Sequence, residues 1–288
     1  MEVFYMKNIA IVTDSSVSFT KEQIKERQLY VVPLTIIYGD QELFDQVNIS
    51  TEQVRNILLN DELLSTSQPN IGTLIDIFNE IKEKQYDHIF ILPLSHHLSG
   101  TFNSFKQAIE QVDLNNYTLI ETETLVGPVQ RAVDLILKLN KEGKSIQEII
   151  FSLNRLFNHT ESYVLPKTLK QLKASGRISK SAATMASLLK IKPVLKLENK
   201  GTTIEKFATA RTENKAMMTI VKDLIKNDIT PKTHVLNLLH SEAESEIHTL
   251  LNLIEQEIGS FEYNISSLPA VLTVHAGVGT IVLQYTIK

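Results

Sequence analysis

Cysteine and tryptophan are both absent from the chain. The absence of cysteine excludes disulfides, thiolate catalysis and cysteine-ligated metal sites, and it fits a reducing compartment. No stretch approaches the about 18 uninterrupted apolar residues of a membrane span, and the first residues lack the small-residue cleavage site of a secretory signal peptide. We therefore expect a cytoplasmic protein.

Acidic residues are absent from one long segment. The chain as a whole carries a net charge of -4, which argues against a nucleic-acid-binding surface that covers the whole molecule. The segment 167–196 nevertheless contains eight lysine or arginine residues and no aspartate or glutamate. Such a segment is either a solvated helix face or a surface that meets a partner or a phosphate group.

The length and composition indicate two globular domains. The chain has 288 residues, of which 43% are hydrophobic and 22% are charged, and domains average about 150 residues. The character of the predicted elements changes near residue 158. We therefore predict an N-terminal domain over residues 1–158 and a C-terminal domain over residues 159–288.

Helix starts and short apolar runs alternate in the N-terminal half. Thr20 with Gln23, and Ser50 with Gln53, have the spacing of capping boxes, in which two side chains satisfy the first amides of a helix. Strands are predicted for the apolar runs at 8–14, 30–39, 88–94 and 117–121, and the run 30–39 is expected to be one buried strand. This alternation predicts a doubly wound, mainly parallel sheet with helices on both faces.

The C-terminal half has a different pattern. The turn Asn199-Lys200-Gly201 lies between two alternating segments and predicts a β-hairpin. A helix is predicted over residues 213–226, a strand over 234–240 and a final pair of strands around 275–287. We therefore expect a second α/β domain with a mixed or antiparallel sheet.

Three polar loops in the N-terminal half are candidates for ligand binding. They cover residues 13–16, 64–69 and 95–101, and ligands of an open parallel sheet collect where strands end and helices begin. Hydroxyl groups beside the amides of a helix start suit a carboxylate or a phosphate, and Gly100 permits close approach of the backbone. A helix cap explains Ser99 or Thr101 better when each is taken alone. The prediction of an anion site therefore rests on the combination.

Two other kinds of site are not predicted. The glycines at 275–279 lack the third glycine and the following helix of a dinucleotide-binding loop. The eight histidines show no metal-ligand spacing on a helix, and the adjacent His96 and His97 cannot both face one ion in regular structure. We predict no metal ion and no cofactor.

Seven short motifs are spread in order over nearly the whole chain. They are IVTDSS at 11–16, STSQPNIG at 65–72, LSGTFNS at 98–104, LKASGRIS at 172–179, LLKIKPVLKL at 188–197, ART at 210–212 and HAGVG at 275–279. Together they resemble the motifs of the DegV family. The resemblance implies a two-domain bacterial protein that binds one long-chain fatty acid in a tunnel between its domains.

The resemblance also implies which residues bind the head group. The hydroxyls of Thr66 and Ser99 are expected to donate hydrogen bonds to the carboxylate, with the amide of Gly100 as a third donor. His275 is expected to close the polar end, directly or through water. The residues expected near this site are Asp14, Ser15, Ser67, His96 and His97.

The same resemblance implies a function for the basic segment 167–196. Arg177 of GRIS and Arg211 of ART match family arginines that face the partner or a phosphate group. The partner implied is a fatty acid kinase related to dihydroxyacetone kinases, which makes an acyl phosphate for phospholipid synthesis. A local alternative for Arg177 is that it caps the helix that ends at Gly176.

The sequence departs from the family pattern beside the proposed carboxylate. The usual loop Ser-Ser-Gly before LSGT is replaced by Ser95-His96-His97. A protonated histidine at this place would favour the ionised acid, whereas a bulky neutral ring would narrow the entrance. The replacement bears on which ligand is preferred and on how it exchanges.

Two functions of other classes remain as alternatives. An acyl hydrolase could be built from Ser99, His275 and Asp14, although the G-x-S-x-G sequence of a nucleophile elbow is absent. An interaction protein could bind nucleic acid or another anion through residues 167–196, although no recognition-helix motif is present. A carrier of a fatty acid remains the first hypothesis, because burial of an acyl chain contributes about 0.8 kcal/mol per methylene group without any catalytic machinery.

Overall fold

The computed structural model describes residues 6–184, 191–198 and 201–288. Contacts divide the chain into two compact units. The first unit consists of the described residues up to Ile49 together with Thr66–Asn158, and the second consists of Ser50–Ser65 and His159–Lys288. The segment Ser50–Ser65 therefore groups with the second unit, although it lies inside the predicted N-terminal domain. The boundary at residue 158 stays a prediction.

Strands and helices alternate along the first part of the chain. In order they are β1 (Ile9–Asp14), α1 (Lys21–Arg27), β2 (Leu29–Val32), β3 (Thr35–Tyr38), β4 (Gln41–Phe44), α2 (Thr51–Leu59), β5 (Ser65–Ser67), α3 (Ile71–Glu83), β6 (His88–Leu92), α4 (Thr101–Val112), β7 (Tyr117–Leu119), α5 (Gly127–Lys141) and α6 (Ile146–Asn158). Both predicted capping boxes are confirmed, at the starts of α1 and α2.

The remaining elements build the sheet of the second unit and the helices around it. They are β8 (Glu161–Leu165), α7 (Lys170–Ala174), α8 (Lys180–Ala183), β9 (Lys192–Glu198), β10 (Thr203–Ala210), α9 (Glu213–Lys226), β11 (His234–His240), α10 (Glu244–Glu257), β12 (Glu262–Ser267), α11 (Ala270–Ala276) and β13 (Ile281–Ile287). The predicted hairpin is confirmed as the antiparallel pair of β9 and β10. Its turn residues Asn199 and Lys200, and residues 188–190 of the LLKIKPVLKL motif, lie outside the described residues.

The first unit contains the predicted parallel sheet, in the order β2-β1-β6-β7. The apolar side chains of β1 and β6 alternate between two cores. Ile11 and Phe90 pack with α5 and α6, whereas Val12 and Ile91 pack with α3 and α4. Helices therefore cover both faces of the sheet, as predicted.

The predicted single strand over residues 30–39 is wrong. Pro33 divides the run into β2, which pairs with β1, and β3, which belongs to a separate sheet of order β4-β3-β5. Proline has no amide hydrogen for a sheet ladder and so is confined to edges and breaks. The apolar run is thus shared between two sheets.

The second unit contains a mixed sheet in the order β10-β9-β8-β13-β11-β12. Strands β11 and β12 are parallel and the other pairs are antiparallel. Helices α9 and α10 pack on one face, where Leu236 and Leu283 of the sheet meet Ile220 and Leu250. The predicted fold class of this part, an α/β domain with a mixed sheet, is confirmed.

The predicted pair of strands around residues 275–287 is wrong in its first member. Residues 270–276 form helix α11, and only Ile281–Ile287 form a strand. Because β12 and β13 both pair with β11, they do not pair with each other. Among the described residues, no helix has both the length and the apolar character that crossing a membrane requires.

Candidate functional site

Asp14 ends β1 and anchors two loops of the first unit. The amide of Ser16 donates a hydrogen bond to its Oδ1 at 2.9 Å, and the amide of Leu94 donates one to its Oδ2 at 2.8 Å. Burial raises the pKa of Asp14, and these hydrogen bonds oppose the rise. Both carboxylate oxygens thus bind backbone amides and fix the start of the loop that carries Ser99. This arrangement gives the hydrolase hypothesis no support, since a triad needs the carboxylate to orient an imidazole.

Ser15 connects the end of β1 to a second buried carboxyl group. Its hydroxyl donates to Asp45 Oδ2 at 2.7 Å and accepts from the amide of Leu34 at 3.1 Å. Asp45 is only 1% exposed. Burial raises its pKa to about 7, the hydrogen bond from Ser15 opposes the rise, and the charge of Asp14 adds to it. Asp45 was not predicted from the sequence, because no motif marks a residue that contacts Ser15 from 30 positions away.

Ser99 lies at the start of α4, a helix of 12 residues. Its Oγ shares a hydrogen bond with Oγ1 of Thr101 at 2.8 Å and accepts from the Thr101 amide at 3.3 Å. Thr101 is fully buried, whereas Ser99 is half-buried. The hydroxyl of Ser99 is therefore held at the positive end of the α4 dipole, where an anion is stabilised.

His96 and His97 lie in a turn next to this helix start. Nδ1 of His96 contacts Glu121 Oε2 at 2.5 Å, and the amide of His96 also donates to that carboxylate. The centroids of the two imidazole rings lie 3.5 Å apart, and the ring planes are tilted by 40°. The same carboxylate accepts a hydrogen bond from the amide of Glu123 at 3.0 Å. Glu121, which no sequence motif marks, thus anchors the loop that departs from the family pattern.

Thr66 and Ser67 lie on the short strand β5. Thr66 is half-buried and Ser67 is exposed, and successive residues of a strand point to opposite sides. Ser67 therefore does not share the side of Thr66. Gln68 follows, and its carboxamide lies directly against Gly100, with Gln68 Cδ 3.2 Å from the position that a Cβ of Gly100 would take. The structure thus brings the STSQP and LSGT segments into contact.

His275 and Arg177 lie near each other in the second unit. Burial and, to a smaller extent, the positive charge of Arg177 lower the pKa of His275 to about 4. The imidazole is therefore neutral at physiological pH. Arg177 Nη1 donates to the carbonyl of Ser175 at 2.8 Å, so the helix-capping alternative describes one of its contacts. The positive charge of Arg177 nevertheless acts on the imidazole of His275 and lowers its pKa.

Arg211 and the basic segment have different environments. Arg211 is exposed between β10 and α9, just before the N-cap Thr212. Three lysines of the segment form ion pairs within the second unit: Lys170 with Asp61 at 2.7 Å, Lys192 with Glu213 at 2.6 Å and Lys196 with Glu161 at 3.0 Å. This pairing neutralises three of the eight positive charges on which the nucleic-acid hypothesis depends.

Gly279 of the HAGVG motif packs against Lys167. Its φ of +82° is unfavourable for a residue with a Cβ, and an added Cβ would lie 2.6 Å from Lys167 Cδ. These contacts give the glycine a packing role. The absence of a dinucleotide-binding loop remains a prediction.

Gly279→Ala is expected to lower the free energy of unfolding by about 2 kcal/mol, because the left-handed backbone and the overlap with Lys167 both penalise the methyl group. The measurement is urea unfolding followed by circular dichroism. Gly176→Ala is the control, since Gly176 has a φ of +67° but no described atom within 4 Å of its added Cβ. Equal losses in the two variants would mean that the contact with Lys167 contributes nothing.

The sequence is similar to known proteins over nearly its whole length. The profile described as "Uncharacterised protein, DegV family" matches residues 8–288. A DegV domain-containing protein of Staphylococcus aureus (strain MRSA252) is 31% identical over 271 residues, which cover 94% of this chain and 96% of the relative. One of Clostridium perfringens is 31% identical over 278 residues, with 96% and 97% covered.

Solved structures agree with the sequence comparisons. A DegV family protein from Thermus thermophilus, described in terms of its fatty acid binding, has a TM-score of 0.88 and 26% identity, and the match covers 98% of this chain and 100% of that one. DegV from Bacillus subtilis, described as a fatty acid binding protein, has a TM-score of 0.84 and 28% identity with the same coverage. The family resemblance read from the motifs is confirmed: the chain belongs to the DegV family.

Proposed function

We propose that this protein binds one long-chain fatty acid by its carboxylate and carries it, rather than catalysing a reaction alone. The observation that carries the proposal is the geometry at the start of α4. There the half-buried hydroxyl of Ser99 stands at the positive end of a helix dipole, beside Gly100, against which the carboxamide of Gln68 packs. The relatives from Thermus thermophilus and Bacillus subtilis, which are described as binding fatty acids, support the same ligand class.

Thr66, Ser99 and Gly100 are the proposed donors from the first unit. Gln68, two residues after Thr66, contacts Gly100 and thus brings the segment that carries Thr66 to the start of α4. His275 is the proposed fourth group. With a pKa lowered to about 4, it would act as a neutral hydrogen-bonding group, and the positive charge would come from Arg177.

The proposal extends to a partner. The carboxylate oxygen of the carried acid would attack the terminal phosphorus of ATP on a kinase related to dihydroxyacetone kinases, which yields an acyl phosphate and ADP. Arg211, which is exposed, and Arg177, which lies near His275, are the proposed groups that face this partner or the phosphate. Positive charge at these positions would steer an anionic partner. Such a carrier would work in the cytoplasm and serve phospholipid synthesis.

Replacement of the two hydroxyls tests the proposed head-group site. Protein purified from a lipid-replete host is expected to yield about one fatty acid per chain on organic extraction, because burial of a 16-carbon chain contributes on the order of 10 kcal/mol. Ser99→Ala and Thr66→Val are each expected to weaken binding of palmitate about 10- to 100-fold, since a hydrogen bond to a charged group is worth about 1.5 to 3 kcal/mol.

A neighbouring hydroxyl supplies the control. Ser65 is exposed at the start of β5, and it points away from the side of Thr66. Ser65→Ala should bind palmitate like the parent protein. Parent protein that carries no lipid and binds no palmitate would refute the proposed function. Unchanged binding by both Ser99→Ala and Thr66→Val would refute the assignment of the head group.

A further inference from the structure

We propose that Gln68 contacts the head group of the bound ligand and selects an ionised carboxylate over a neutral polar group. The inference rests on the proposed function, which it deepens by assigning the residue that reads the charge. Three features support it: the reason for a glycine at position 100, the fixed backbone around Gln68, and the chemistry of a carboxamide at the start of α4.

Gly100 is required for space and not for backbone conformation. Its φ of -67° and ψ of -2° lie in the right-handed helical region, which residues of every kind adopt. An added Cβ, however, would overlap Oε1 of Gln68 and lie 3.2 Å from Cδ of the same side chain. The glycine therefore makes room for the carboxamide of Gln68.

The backbone on both sides of Gln68 is fixed. The strand β5 ends at Ser67, one residue before it. Pro69 follows and is buried, and a residue that precedes proline is held in an extended conformation. Next, the side chain of Asn70 caps α3 by accepting from the amides of Gly72 at 2.8 Å and Thr73 at 3.3 Å. Only the side-chain torsions of Gln68 remain free to adjust.

The position of Gln68 suits the recognition of a carboxylate. Gln68 is exposed to solvent, so an incoming ligand can reach it. Its carboxamide is neutral and carries two N–H donors, and it lies at the helix start where Ser99 is held. A hydrogen bond to an ionised acceptor is about twice as strong as a neutral one. A fatty acid therefore gains more from Gln68 than the alcohol of the same length.

Gln68→Glu tests the inference, because it keeps the shape of the side chain and replaces its donors by a negative charge. At pH 8 the variant should bind palmitate at least about tenfold more weakly than the parent protein, since two carboxylates then face each other. Binding of 1-hexadecanol should change less than about threefold, as only a neutral hydrogen bond is altered. Gln107→Glu adds the same charge at an exposed position of α4, and it should leave both affinities unchanged.

The outcomes separate the inference from the proposed function. Equal weakening for palmitate and hexadecanol, or no weakening for either, would overturn the role of Gln68 while leaving the carrier function in place. Parent protein that binds neither ligand would overturn both. If Gln68→Glu fails to fold, Gln68→Met, which is uncharged and of similar length, takes its place. It should still weaken palmitate binding more than hexadecanol binding, and equal effects would again overturn the inference.

Discussion

Lys196→Met is expected to lower the free energy of unfolding of the second unit by about 3 to 5 kcal/mol at pH 7, which is the usual effect of removing one partner from a buried ion pair. Lys196 Nζ lies 3.0 Å from Glu161 Oε2 and 3.5 Å from Asp223 Oδ2. The side chains of all three residues are largely buried. Methionine would keep the apolar stem and leave two carboxylates without a cation.

Lys196 also contacts an aromatic ring and affects the pKa of one of its two partners. The hydroxyl of Tyr163 donates to Asp223 Oδ2 at 2.6 Å, and Nζ of Lys196 lies 5.3 Å from the ring centroid of Tyr163. Burial raises the pKa of Glu161, whereas the contact with Lys196 lowers it. Removal of the lysine would raise that pKa further, so the ionised form of Glu161 would oppose folding.

The dependence on pH identifies the cause. Because the pKa of Glu161 would be higher in the folded variant than in the unfolded chain, the deficit of Lys196→Met should shrink as the pH falls through the folded pKa. Urea unfolding followed by circular dichroism at pH 7 and pH 4.5 measures both values. Lys222→Met removes a charge from an exposed site of α9 and should change stability by less than about 0.5 kcal/mol. A similar small change for Lys196→Met would contradict the prediction.

The parts of the fold that follow from local chemistry were predictable. Thr20 with Gln23 forms its capping box within one turn of α1, so no distant contact is needed to identify it. The strands of the parallel sheet were also predictable, since each is a short apolar run between polar loops. The split at Pro33 was not predicted. The apolar character of the run is the same on both sides of the proline, so it does not show that the two halves belong to different sheets.

The candidate site shows the same limit. Ser99 and Thr66 could be named from motifs that resemble a family, whereas the contact of Gln68 with Gly100 and that of Ser15 with Asp45 join residues about 30 positions apart. Such contacts depend on the order of the strands in the sheets, which residue spacing does not contain. Helix α11 was missed for another reason: its residues 270–276 are rich in β-branched and apolar side chains, and these favour a strand when read locally.

Asp45→Asn is expected to make the protein more stable at pH 8 and to leave its stability unchanged near pH 3.5. Asparagine can accept the hydrogen bond from Ser15 that Asp45 Oδ2 accepts at 2.7 Å. It has nearly the same shape as aspartic acid and carries no charge. The substitution therefore isolates the cost of ionising a carboxyl group that is 1% exposed.

The sign follows from proton linkage. The pKa of Asp45 is raised from the ordinary value of 3.8 to about 7, so the folded chain holds a proton that the unfolded chain releases between these values. The contribution of Asp45 is therefore most favourable below pH 4, and it is lost as the pH rises to about 7. A shift of this size corresponds to about 4 kcal/mol as an upper value. Asp45→Asn has no carboxyl group to ionise at this position. Its free energy of unfolding should therefore exceed that of the parent by an amount that grows as the pH rises from 3.8 to about 7.

Urea unfolding at several pH values between 3.5 and 8 measures the difference between variant and parent. Asp76→Asn, at an exposed position of α3, serves as the control for removal of one negative charge, and its effect should stay below about 0.5 kcal/mol at every pH. A constant difference for Asp45→Asn would mean that Asp45 titrates at its ordinary pKa in the folded chain. An advantage that grows through pH 7 would instead show that Asp45 ionises there beside Asp14, the residue whose carboxylate fixes the loop that carries Ser99. Palmitate binding by Asp45→Asn at pH 8 would then be expected to match or exceed that of the parent, because the buried charge that acts on Asp14 is gone.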